Sequence, residues 1–439
     1  MKRKTHGLSI VAAIVLAGFV IVVWLHILLN SILRGEEHLH QSNVESKLPT
    51  GNYLPDAENP LIRVIIRTNG FSQIAHTEVK VSAESGLRIQ SGETQHMVDA
   101  GVEFCVTPED SLFQSGSIWI EPQLDTDRIQ LQSLTRGCGT PLYRGKMELF
   151  ATAEGIVIVN ELPVEEYLYG VVPSEMPASY EMEALKCQAV CARSYAYCQM
   201  KSFAYPEYSA HVDDSVSFQV YANSGEKDST IQAVDATINQ KLRYGGEVVI
   251  TYYYSTSCGK TTSIEAWGTD LAEHNRYLCG VAVQNAEGKD YEEQLPWYRW
   301  EATVPIRTLS DLVELNTGME IGTVQDIKVT KRGTGGVALQ LVAEGTEGKI
   351  VVNTENKIRS ALGGGGYQIK KNDGTMVNGA SLLPSAFFTI AKDGENYIIK
   401  GGGYGHGIGM SQNGANEMAK AGKNYEEILT FFYPGTKVE

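Results

Sequence analysis

The chain has 439 residues, of which 43% are hydrophobic, so it is long enough to bury a sizeable core. Its formal net charge of -15 argues against nucleic acid or an anionic lipid surface as a partner, because both require a basic face. Neutral polymers and other proteins remain compatible with this composition.

The first predicted element is a single transmembrane anchor over residues 8–33. Its apolar run of about 20 residues is enough to cross a hydrocarbon core of about 30 Å as a helix. Residues 2–4, Lys-Arg-Lys, precede the run, so the positive-inside rule predicts a cytoplasmic tail over 1–7 and an extracytoplasmic remainder. The alternative is a cleaved signal peptide, but the run is long for one and no Ala-x-Ala site follows it. We therefore expect a single-pass protein of the cell membrane, with residues 34–58 as a polar stalk.

Beyond the stalk, residues 59–439 are predicted to form one domain of the α+β class, rich in strands and with a few helices. Runs of β-branched residues separated by turn residues occupy 60–162 and indicate strands. The helical period takes over at 178–201, where Ser179 is the favoured N-cap. The next predicted elements, in chain order, are a helix near 228–238, a strand over 248–254, and short helices at 309–315 and 354–362 within a second strand-rich region. A C-terminal helix is predicted to run to Lys420 and to close at Gly422.

The seven cysteines are an odd number, and none of them forms a CxxC pair that would indicate a structural zinc site. Cys187, Cys191 and Cys198 lie on one stripe of the first helix predicted beyond the stalk. Free cysteine packs as a small hydrophobic residue, so we interpret these three as core residues rather than ligands. Cys258 and Cys279 are the pair that could form a disulfide.

Glu175 is a candidate for catalysis, because it lies in the segment Pro-Ser-Glu-Met-Pro at 173–177, directly before a helical pattern. The apolar neighbours disfavour the charged form of the carboxyl. They therefore raise its pKa toward neutral pH, where the group can serve as a general acid. No second acid in the segment is obviously paired with it. The ordinary alternative is a loop acid stabilised by the N-terminus of the following helix.

Hydroxyl groups cluster in the turn at 255–262, directly after an aromatic strand end. Ser255, Ser257 and Thr261 in this turn suit the recognition of sugars by hydrogen bonds, with stacking on the aromatic residues nearby. Turns also favour serine, threonine and glycine for purely structural reasons, so that alternative stays open. Arg193, on the helix predicted before this turn, can bind a carboxylate in bidentate fashion or act as a surface or scaffold residue.

The C-terminal region contains seven glycines in the fourteen residues 401–414, which let the backbone approach a ligand or another segment closely. His406 lies among them and is either a site residue or a turn histidine that bonds backbone carbonyls. His211, Asp213 and Asp214 form a separate cluster of hard-metal donor groups. Their spacing matches no metal-binding loop, and a solvated turn is the favoured interpretation.

Four stretches of the chain form a recognisable series, with Pro-Ser-Glu-Met-Pro in the first and Tyr-Gly-His-Gly-Ile-Gly-Met-Ser-Gln-Asn-Gly in the last. The stretches are 159–163 with 167–177, 183–196, 255–268, and 404–415 with 432–436. Together they resemble the stage II sporulation protein D family, whose domain also occurs in amidase-enhancer proteins. The resemblance covers roughly residues 60–439. It implies a membrane-anchored lytic transglycosylase that acts on peptidoglycan during engulfment in endospore formers.

In this family the glutamate of the Pro-Ser-Glu-Met-Pro stretch is the catalytic acid, so the resemblance assigns that role to Glu175. It also implies the substrate and a partner: peptidoglycan glycan strands whose stem peptides have been removed by an amidase similar to stage II sporulation protein P. An ordinary glycosidase needs two carboxyl groups. A lytic transglycosylase needs one, because the 6-hydroxyl of the sugar attacks C1 to give a 1,6-anhydro product. The same residue can then both donate and accept the proton.

The predicted residues for binding or orienting the glycan are Arg193, Ser255, Ser257, Thr261, His406 and Gln412. The alternative function is a non-catalytic module that binds peptidoglycan and enhances a partner amidase, although the presence of Glu175 favours the enzyme. Some clostridial relatives in this family bind zinc through a histidine and two cysteines. At those positions this chain has Pro206, Val212 and Phe218. We therefore expect no metal and no other cofactor.

Overall fold

The computed structural model describes residues 59–439. Residues 1–58, which include the predicted cytoplasmic tail, anchor and stalk, lie outside the described residues. Within the described part, no helix combines the length and the apolar character needed to span a membrane. This part of the chain is α+β, rich in strands and with few helices, so the predicted fold class is confirmed for it.

The strands of residues 59–439, numbered β1 to β25 in chain order, are Leu61–Ile66, Ala75–His76, Val79–Ser82, Leu87–Ser91, Thr94–Val98, Phe104–Val106, Ile118–Pro122, Ile129–Leu131, Leu142–Tyr143, Lys146–Thr152, Gly155–Pro163, Val212–Asp213, Leu242–Tyr244, Glu247–Val248, Tyr253–Tyr254, Trp300–Pro305, Val324–Arg332, Ala338–Gly345, Lys349–Asn353, Gln368–Lys371, Met376–Asn378, Phe388–Asp393, Asn396–Gly401, Met410–Ser411 and Lys437–Val438. The α-helices of the same residues, α1 to α7, are Val164–Glu175, Met182–Gln199, Asp228–Asp235, Ile306–Thr317, Glu355–Leu362, Gln412–Lys420 and Tyr425–Phe432.

The first half of the described chain is built on an eight-stranded sheet with the order β12-β1-β11-β10-β7-β4-β5, in which β2 also pairs with β11. The central strand β11 is buried along almost its whole length, because its Ile-Val-Ile-Val run supplies apolar side chains to both faces. Ile156 and Ile158 pack with α1 and α2 on one face, whereas Val157 and Val159 contact a smaller cluster on the other. Strand β11 continues without a loop into α1, which carries Glu175 at its last position.

Helix α1 is the main element that sequence reasoning did not predict. It places Glu175 at a helix C-terminus, so the interpretation of Glu175 as a loop acid is wrong. The segment contains Gly170, Pro173 and several β-branched valines, all of which have low helix propensity. Burial of the helix against the sheet overrides that preference, and Val171 and Val172 are inaccessible to solvent.

Helix α2 begins at Met182, and Glu181 rather than Ser179 occupies its N-cap. The Glu181 side chain makes no capping bond, and the Glu181 backbone N–H instead donates to Asn416 Oδ1 of α6 at 2.9 Å. Because that partner lies 235 residues away in the chain, no local signal identifies it. The N-cap predicted at Ser179 is therefore wrong.

The second strand-rich region surrounds the largest hydrophobic core. It contains a five-stranded antiparallel sheet, β21-β20-β16-β23-β22, and a three-stranded sheet, β17-β18-β19. The helix predicted at 309–315 is longer than expected, since α4 spans Ile306–Thr317. The helix predicted at 354–362 is confirmed as α5, with Thr354 at its N-cap.

The remaining predicted elements are confirmed in part. Helix α3 occupies the region predicted at 228–238 but ends earlier, at Asp235. The strand predicted over 248–254 is divided into β14 and β15, which pair with different partners. Helix α6 ends at Lys420, as predicted, and Gly422 follows with a φ of 85°, which takes the chain out of the helix.

The cluster at 211–214 is buried, so the solvated turn predicted there is wrong. Asp213 accepts a hydrogen bond from Arg67 at 2.8 Å, and Asp214 pairs with Arg136 at 2.5 Å. Burial of these carboxylates is tolerated because each of them has a cationic partner. The cluster therefore belongs to the scaffold.

All seven cysteines lie in the described residues and are free. Cys187 and Cys191 are buried in α2, which confirms their interpretation as core residues, whereas Cys198 is partly buried. Cys258 and Cys279 do not form the disulfide that the sequence allowed.

Candidate active site

A cleft with a volume of about 920 Å³ lies beside the C-terminus of α1. The segments that line it are the end of α1 with 216–220, the strand end 251–255 with Trp267, the start of α5 with Thr354, and 404–406 with Gln412. These segments come from the sheet region, the second strand-rich region and the glycine-rich region. The residues that line the cleft are therefore far apart in the sequence, and the fold brings them together.

Glu175 lies at the end of α1 and lines this cleft. Its Oε1 accepts a hydrogen bond from the backbone N–H of Val220 at 2.6 Å, and the Tyr253 hydroxyl donates a second one. Burial raises the pKa of Glu175 to about 7, although both hydrogen bonds favour the carboxylate and oppose that rise. A large fraction of these carboxyl groups is therefore protonated at neutral pH, which is what a general acid requires.

A buried amide directs the Tyr253 hydroxyl toward Glu175. Gln219 Nε2 donates to the Tyr253 oxygen at 3.1 Å, which leaves the hydroxyl hydrogen free to point at the carboxylate. Gln219 Oε1 in turn accepts from the Tyr167 hydroxyl at 3.5 Å. Sequence reasoning missed Tyr253 and Gln219 as site residues. The aromatic run at 252–254 was visible, but nothing in it distinguishes the middle hydroxyl from the other two.

Ser174 positions the loop that contains Val220, whose backbone N–H donates to Glu175. Its hydroxyl donates to the Gly170 carbonyl at 2.7 Å. It also accepts from the backbone N–H groups of Asn223 and Ser224 at 3.1 and 3.0 Å. The loop is thereby joined to α1 one residue before Glu175, which gives the serine of the Pro-Ser-Glu-Met-Pro segment a positioning role.

His406 forms part of the cleft wall, and the protein uses both of its ring nitrogens. Nδ1 accepts from the backbone N–H of Ile408 at 3.1 Å, so Nε2 carries the hydrogen and donates to the Tyr253 carbonyl at 2.9 Å. Burial lowers the pKa of His406 to about 3, so the ring is neutral. Its ring lies 5.0 Å from that of Trp267 and 5.5 Å from that of Tyr254. His406 therefore supplies an aromatic surface and not a proton.

Ser255 and Gln412, two of the predicted glycan contacts, also line the cleft. Gln412 Nε2 donates to the carbonyl oxygen of Glu175 at 3.0 Å and ties the glycine-rich region to the end of α1. The Ser255 carbonyl accepts from the backbone N–H of Asn413 at 2.9 Å. The structure thus brings four predicted residues together, namely Glu175, Ser255, His406 and Gln412. Their contact with a glycan stays a prediction.

Three other predicted contacts do not line the cleft. Arg193 is fully buried, where its Nε and Nη2 donate to both carboxylate oxygens of Glu165 at 2.7 and 2.6 Å. Ser257 and Thr261 are buried as well, the first bonded to the carboxylate of Glu292 and the second to a backbone N–H. Because protein partners satisfy these polar groups away from solvent, all three residues belong to the scaffold. Their assignment as glycan contacts is corrected accordingly.

Helix α5 supplies cleft residues that no sequence signal connected with Glu175. Glu355 accepts from Trp267 Nε1 at 2.8 Å and pairs with Arg359 at 3.4 Å, so its charge is compensated. Lys357 is exposed, lines the cleft and takes part in no ion pair with the described residues. In this part of the chain, the cleft therefore holds one acid without a cationic partner, Glu175, and one cation without an acidic partner, Lys357.

The residues present do not fit a zinc ion at the place where some family members bind one. Pro206, Val212 and Phe218 occupy those positions, and their side chains have no donor atoms. Across residues 59–439, no group of three or more His, Cys, Asp or Glu side chains is placed to hold a metal ion.

Comparison with known proteins relates two regions of the chain to families. A family model described as stage II sporulation protein matches residues 152–244, and one described as a domain of unknown function (DUF8618) matches residues 278–409. The first match contains Glu175, Tyr167 and Gln219. The second contains α5 and therefore the cleft residue Lys357.

Individual relatives are similar over much longer stretches. The stage II sporulation protein D of Bacillus subtilis is 30% identical over 296 residues, which are 64% of this chain and 75% of that protein. The amidase enhancer of the same organism is 31% identical over 296 residues, but this chain spans only 40% of its length. An uncharacterized protein of Brachyspira hyodysenteriae is 34% identical over 301 residues, 67% of this chain and 72% of that protein.

Proposed function

The chain belongs to the stage II sporulation protein D family, and on this basis we propose that it is a peptidoglycan lytic transglycosylase. The proposed substrates are glycan strands from which an amidase has removed the stem peptides. One observation carries the proposal: a cleft of about 920 Å³ is lined by Glu175, whose pKa burial raises to about 7. A proton is thus available at neutral pH in a space that can accept a glycosidic oxygen.

In the proposed reaction, protonated Glu175 donates its proton to the glycosidic oxygen as the bond between that oxygen and C1 breaks. The 6-hydroxyl of the same sugar attacks C1, and the Glu175 carboxylate accepts the hydroxyl proton. The products are a 1,6-anhydro end and a free hydroxyl end, no water is consumed, and Glu175 returns to its starting state. One carboxyl is sufficient for this, whereas hydrolysis requires a second. The other acid of the cleft, Glu355, is already held by Trp267 and Arg359.

The partners of Glu175 suit a group that alternates between two protonation states. Hydrogen bonds from Val220 and Tyr253 stabilise the carboxylate formed after proton donation, whereas burial stabilises the acid form before it. The exposed Lys357 suits the carboxylate that each muramic acid residue carries. Trp267 also lines the cleft, where a sugar can contact its ring.

A second candidate function is a non-catalytic module that binds peptidoglycan and enhances an amidase. The similarity to the amidase enhancer of Bacillus subtilis favours it. Both functions use the cleft, but only the transglycosylase requires a protonatable acid there. For either function, the proposed partner is an amidase similar to stage II sporulation protein P. The proposed location is the outer side of the cell membrane, with residues 8–33 as the anchor.

Mass spectrometry of peptide-free glycan strands, incubated with the full-length chain in mild detergent, separates the two functions. We expect 1,6-anhydro ends from the wild type and none from Glu175→Gln, which keeps the size of the side chain but cannot donate this proton. Glu207→Gln changes an exposed acid that does not line the cleft, and this control should cleave like the wild type. Intact strands in the wild type, with binding retained, would contradict the enzyme and support the amidase enhancer.

A further inference from the structure

A strongly basic surface lies mainly in the second strand-rich region of this acidic protein, whose net charge is -15. Two adjoining cavities of about 320 and 400 Å³ share Arg299, Lys400 and Gly401. The basic residues around them, which we call the basic face, are Lys260, Arg299, Arg332, Lys370, Lys371 and Lys400. Among the described residues, Glu301 is the one acid that lines either cavity.

Sheet register places two lysines of the basic face, Lys370 and Lys400, on the same side of the sheet. Strand β16 pairs with β20 and β23, so Glu301 lies between Lys370 and Lys400. Directly paired residues of antiparallel strands point to the same side of the sheet, and neighbouring strands lie about 4.8 Å apart. Arg332, at the end of β17, is held beside this sheet because it donates to the Phe388 carbonyl at 2.9 Å.

The positive charge of the basic face is poorly compensated. Of its six residues, Lys400 alone pairs with a carboxylate in the described part of the chain, that of Glu301 at 3.2 Å. Arg299 and Arg332 donate to backbone carbonyls, which satisfy hydrogen bonds but carry no net charge. Like charges without partners repel one another, so an anion that binds among them is attracted by several groups at once.

An aromatic pair connects the basic face to the cleft. Tyr404 lines the cleft and is 41% exposed, and its ring centroid lies 4.7 Å from that of Trp297. Lys371 Nζ lies 5.3 Å from the Trp297 ring centroid. Lys371 lines the same cavity as Lys370 and Lys400, so a polymer that leaves the cleft over Tyr404 and Trp297 reaches the basic face at this cavity.

We propose that the basic face and the aromatic pair bind the glycan strand beyond the cleft. Each muramic acid of a peptide-free strand carries an ionised carboxylate, with which lysine and arginine pair, and the sugar rings stack on Tyr404 and Trp297. The inference rests on the proposed function, because the ligand is the strand that the cleft holds. Continuity with the cleft favours this strand over a separate polyanion. The proposal gives a role to the region 278–409, which matches a domain of unknown function.

Binding of glycan strands to the full-length chain in the Glu175→Gln background tests the proposal without interference from cleavage. The test variant adds Lys260→Gln, Lys370→Gln and Lys400→Gln, three exposed changes on the basic face. We expect it to lose about ten-fold in affinity at low salt and less at high salt, because exposed charge pairs are modest and screened.

The matched control replaces three exposed lysines that line neither cavity, Lys328, Lys349 and Lys420, by glutamine in the same background. It changes the net charge by the same amount as the test variant, so it measures the effect of overall charge alone. We expect its affinity to stay close to that of the Glu175→Gln chain. Equal losses in the two variants, or no loss in either, would overturn the proposal.

Two further ligands separate the remaining outcomes. Strands whose carboxyl groups have been amidated should bind the test and control variants equally, and a loss that persists with them would overturn the role of the carboxylates. A loss confined to a polyol-phosphate polymer would assign the basic face to that polymer and overturn the proposal as well. If strand binding depends on the lysines but the wild type does not cleave the strands, the proposed function is refuted. This inference would still stand in that case.

Discussion

The backbone N–H of Val220 donates to Glu175 Oε1 at 2.6 Å, between residues 45 positions apart in the chain. Burial alone would leave Glu175 as an acid that gives up its proton reluctantly. The bond from Val220 stabilises the carboxylate and so makes proton donation less costly. The acid is therefore balanced between two protonation states by two opposed effects, which suits a residue that both donates and accepts a proton in one turnover.

Replacement of Tyr253 by phenylalanine should raise the pKa of Glu175 further. The hydroxyl hydrogen bond favours the carboxylate, so its loss favours the acid form. We expect the alkaline limb of the pH–rate profile to move to higher pH. We also expect kcat to fall about ten-fold, because the carboxylate formed in the reaction loses a stabilising donor. Rates of strand cleavage over a range of pH values measure both effects.

A second tyrosine offers a matched control for this change. The Tyr143 hydroxyl is buried near Arg136 and lies outside the cleft. Tyr143→Phe should therefore leave the pH–rate profile where it is. An alkaline limb that stays in place in Tyr253→Phe as well would show that the Tyr253 hydroxyl does not act on Glu175.

The raised pKa of Glu175 also predicts a pH-dependent stability. The folded state, with a pKa of about 7, holds this proton more tightly than the unfolded state, with a pKa near 4.5. Its stabilising contribution is therefore complete below the unfolded pKa and is lost as the pH rises through about 7. Glu175→Gln does not titrate, so its stability relative to the wild type should increase over this interval.

Thermal unfolding of the wild type and Glu175→Gln at several pH values measures that difference. Glu292, another buried acid whose pKa is raised to about 7, is present in both proteins and cancels in the comparison. A difference in stability that does not change with pH would show that burial leaves the pKa of Glu175 at its ordinary value.

Loss of the Arg193 side chain should damage the fold rather than the site. Arg193→Met leaves the buried carboxylate of Glu165 without its partner, which should lower the free energy of unfolding by about 3–5 kcal/mol. By comparison, Lys186→Gln breaks a partly exposed pair with Glu183 and should cost less than about 1 kcal/mol. Urea unfolding measures both, and kcat/KM per folded molecule should stay unchanged. Normal stability with a raised KM would show instead that Arg193 binds the substrate.

Lys357→Gln should weaken the binding of carboxylate-bearing strands. The side chain lines the cleft and has no acidic partner in the described part of the chain, so a substrate carboxylate can pair with it directly. We expect KM to rise about five-fold with little change in kcat, because the contact is made equally in the ground state and the transition state. Lys349→Gln, an exposed change outside the cleft, is the control. A similar rise in KM with amidated strands would exclude the carboxylate as the partner.

Local sequence patterns predicted elements whose stability depends on near neighbours. Helices α3 and α5 and the buried stripe of Cys187 and Cys191 follow from residues three and four positions apart. The same patterns failed for α1, where Gly170 and Pro173 argue against a helix and burial on the sheet outweighs them. Local propensity is a small free energy, so packing against a large sheet can reverse it.

Arg193 shows why part of the site could not be predicted. The residue type established that a bidentate group was present, and both a substrate and a scaffold role were compatible with it. The choice between these two roles depends on which carboxylate binds the guanidinium. In the structure it is the carboxylate of Glu165, 28 residues earlier in the chain. Lys357 presents the reverse case, since nothing in its sequence neighbourhood indicates that it lines the same cleft as Glu175.

Residue type and spacing were enough to predict the strand-rich α+β class, the order of the four family stretches, and Glu175 as the candidate acid. The folded chain was needed to show that Val220 and Tyr253 contact that acid, that Arg193 is buried, and that basic residues collect around two adjoining cavities of a protein with net charge -15. The difference arises because the pKa, the exposure and the local electric field of a group are sums over its neighbours in space. The fold draws those neighbours from as far away as Gln412, 237 residues beyond Glu175.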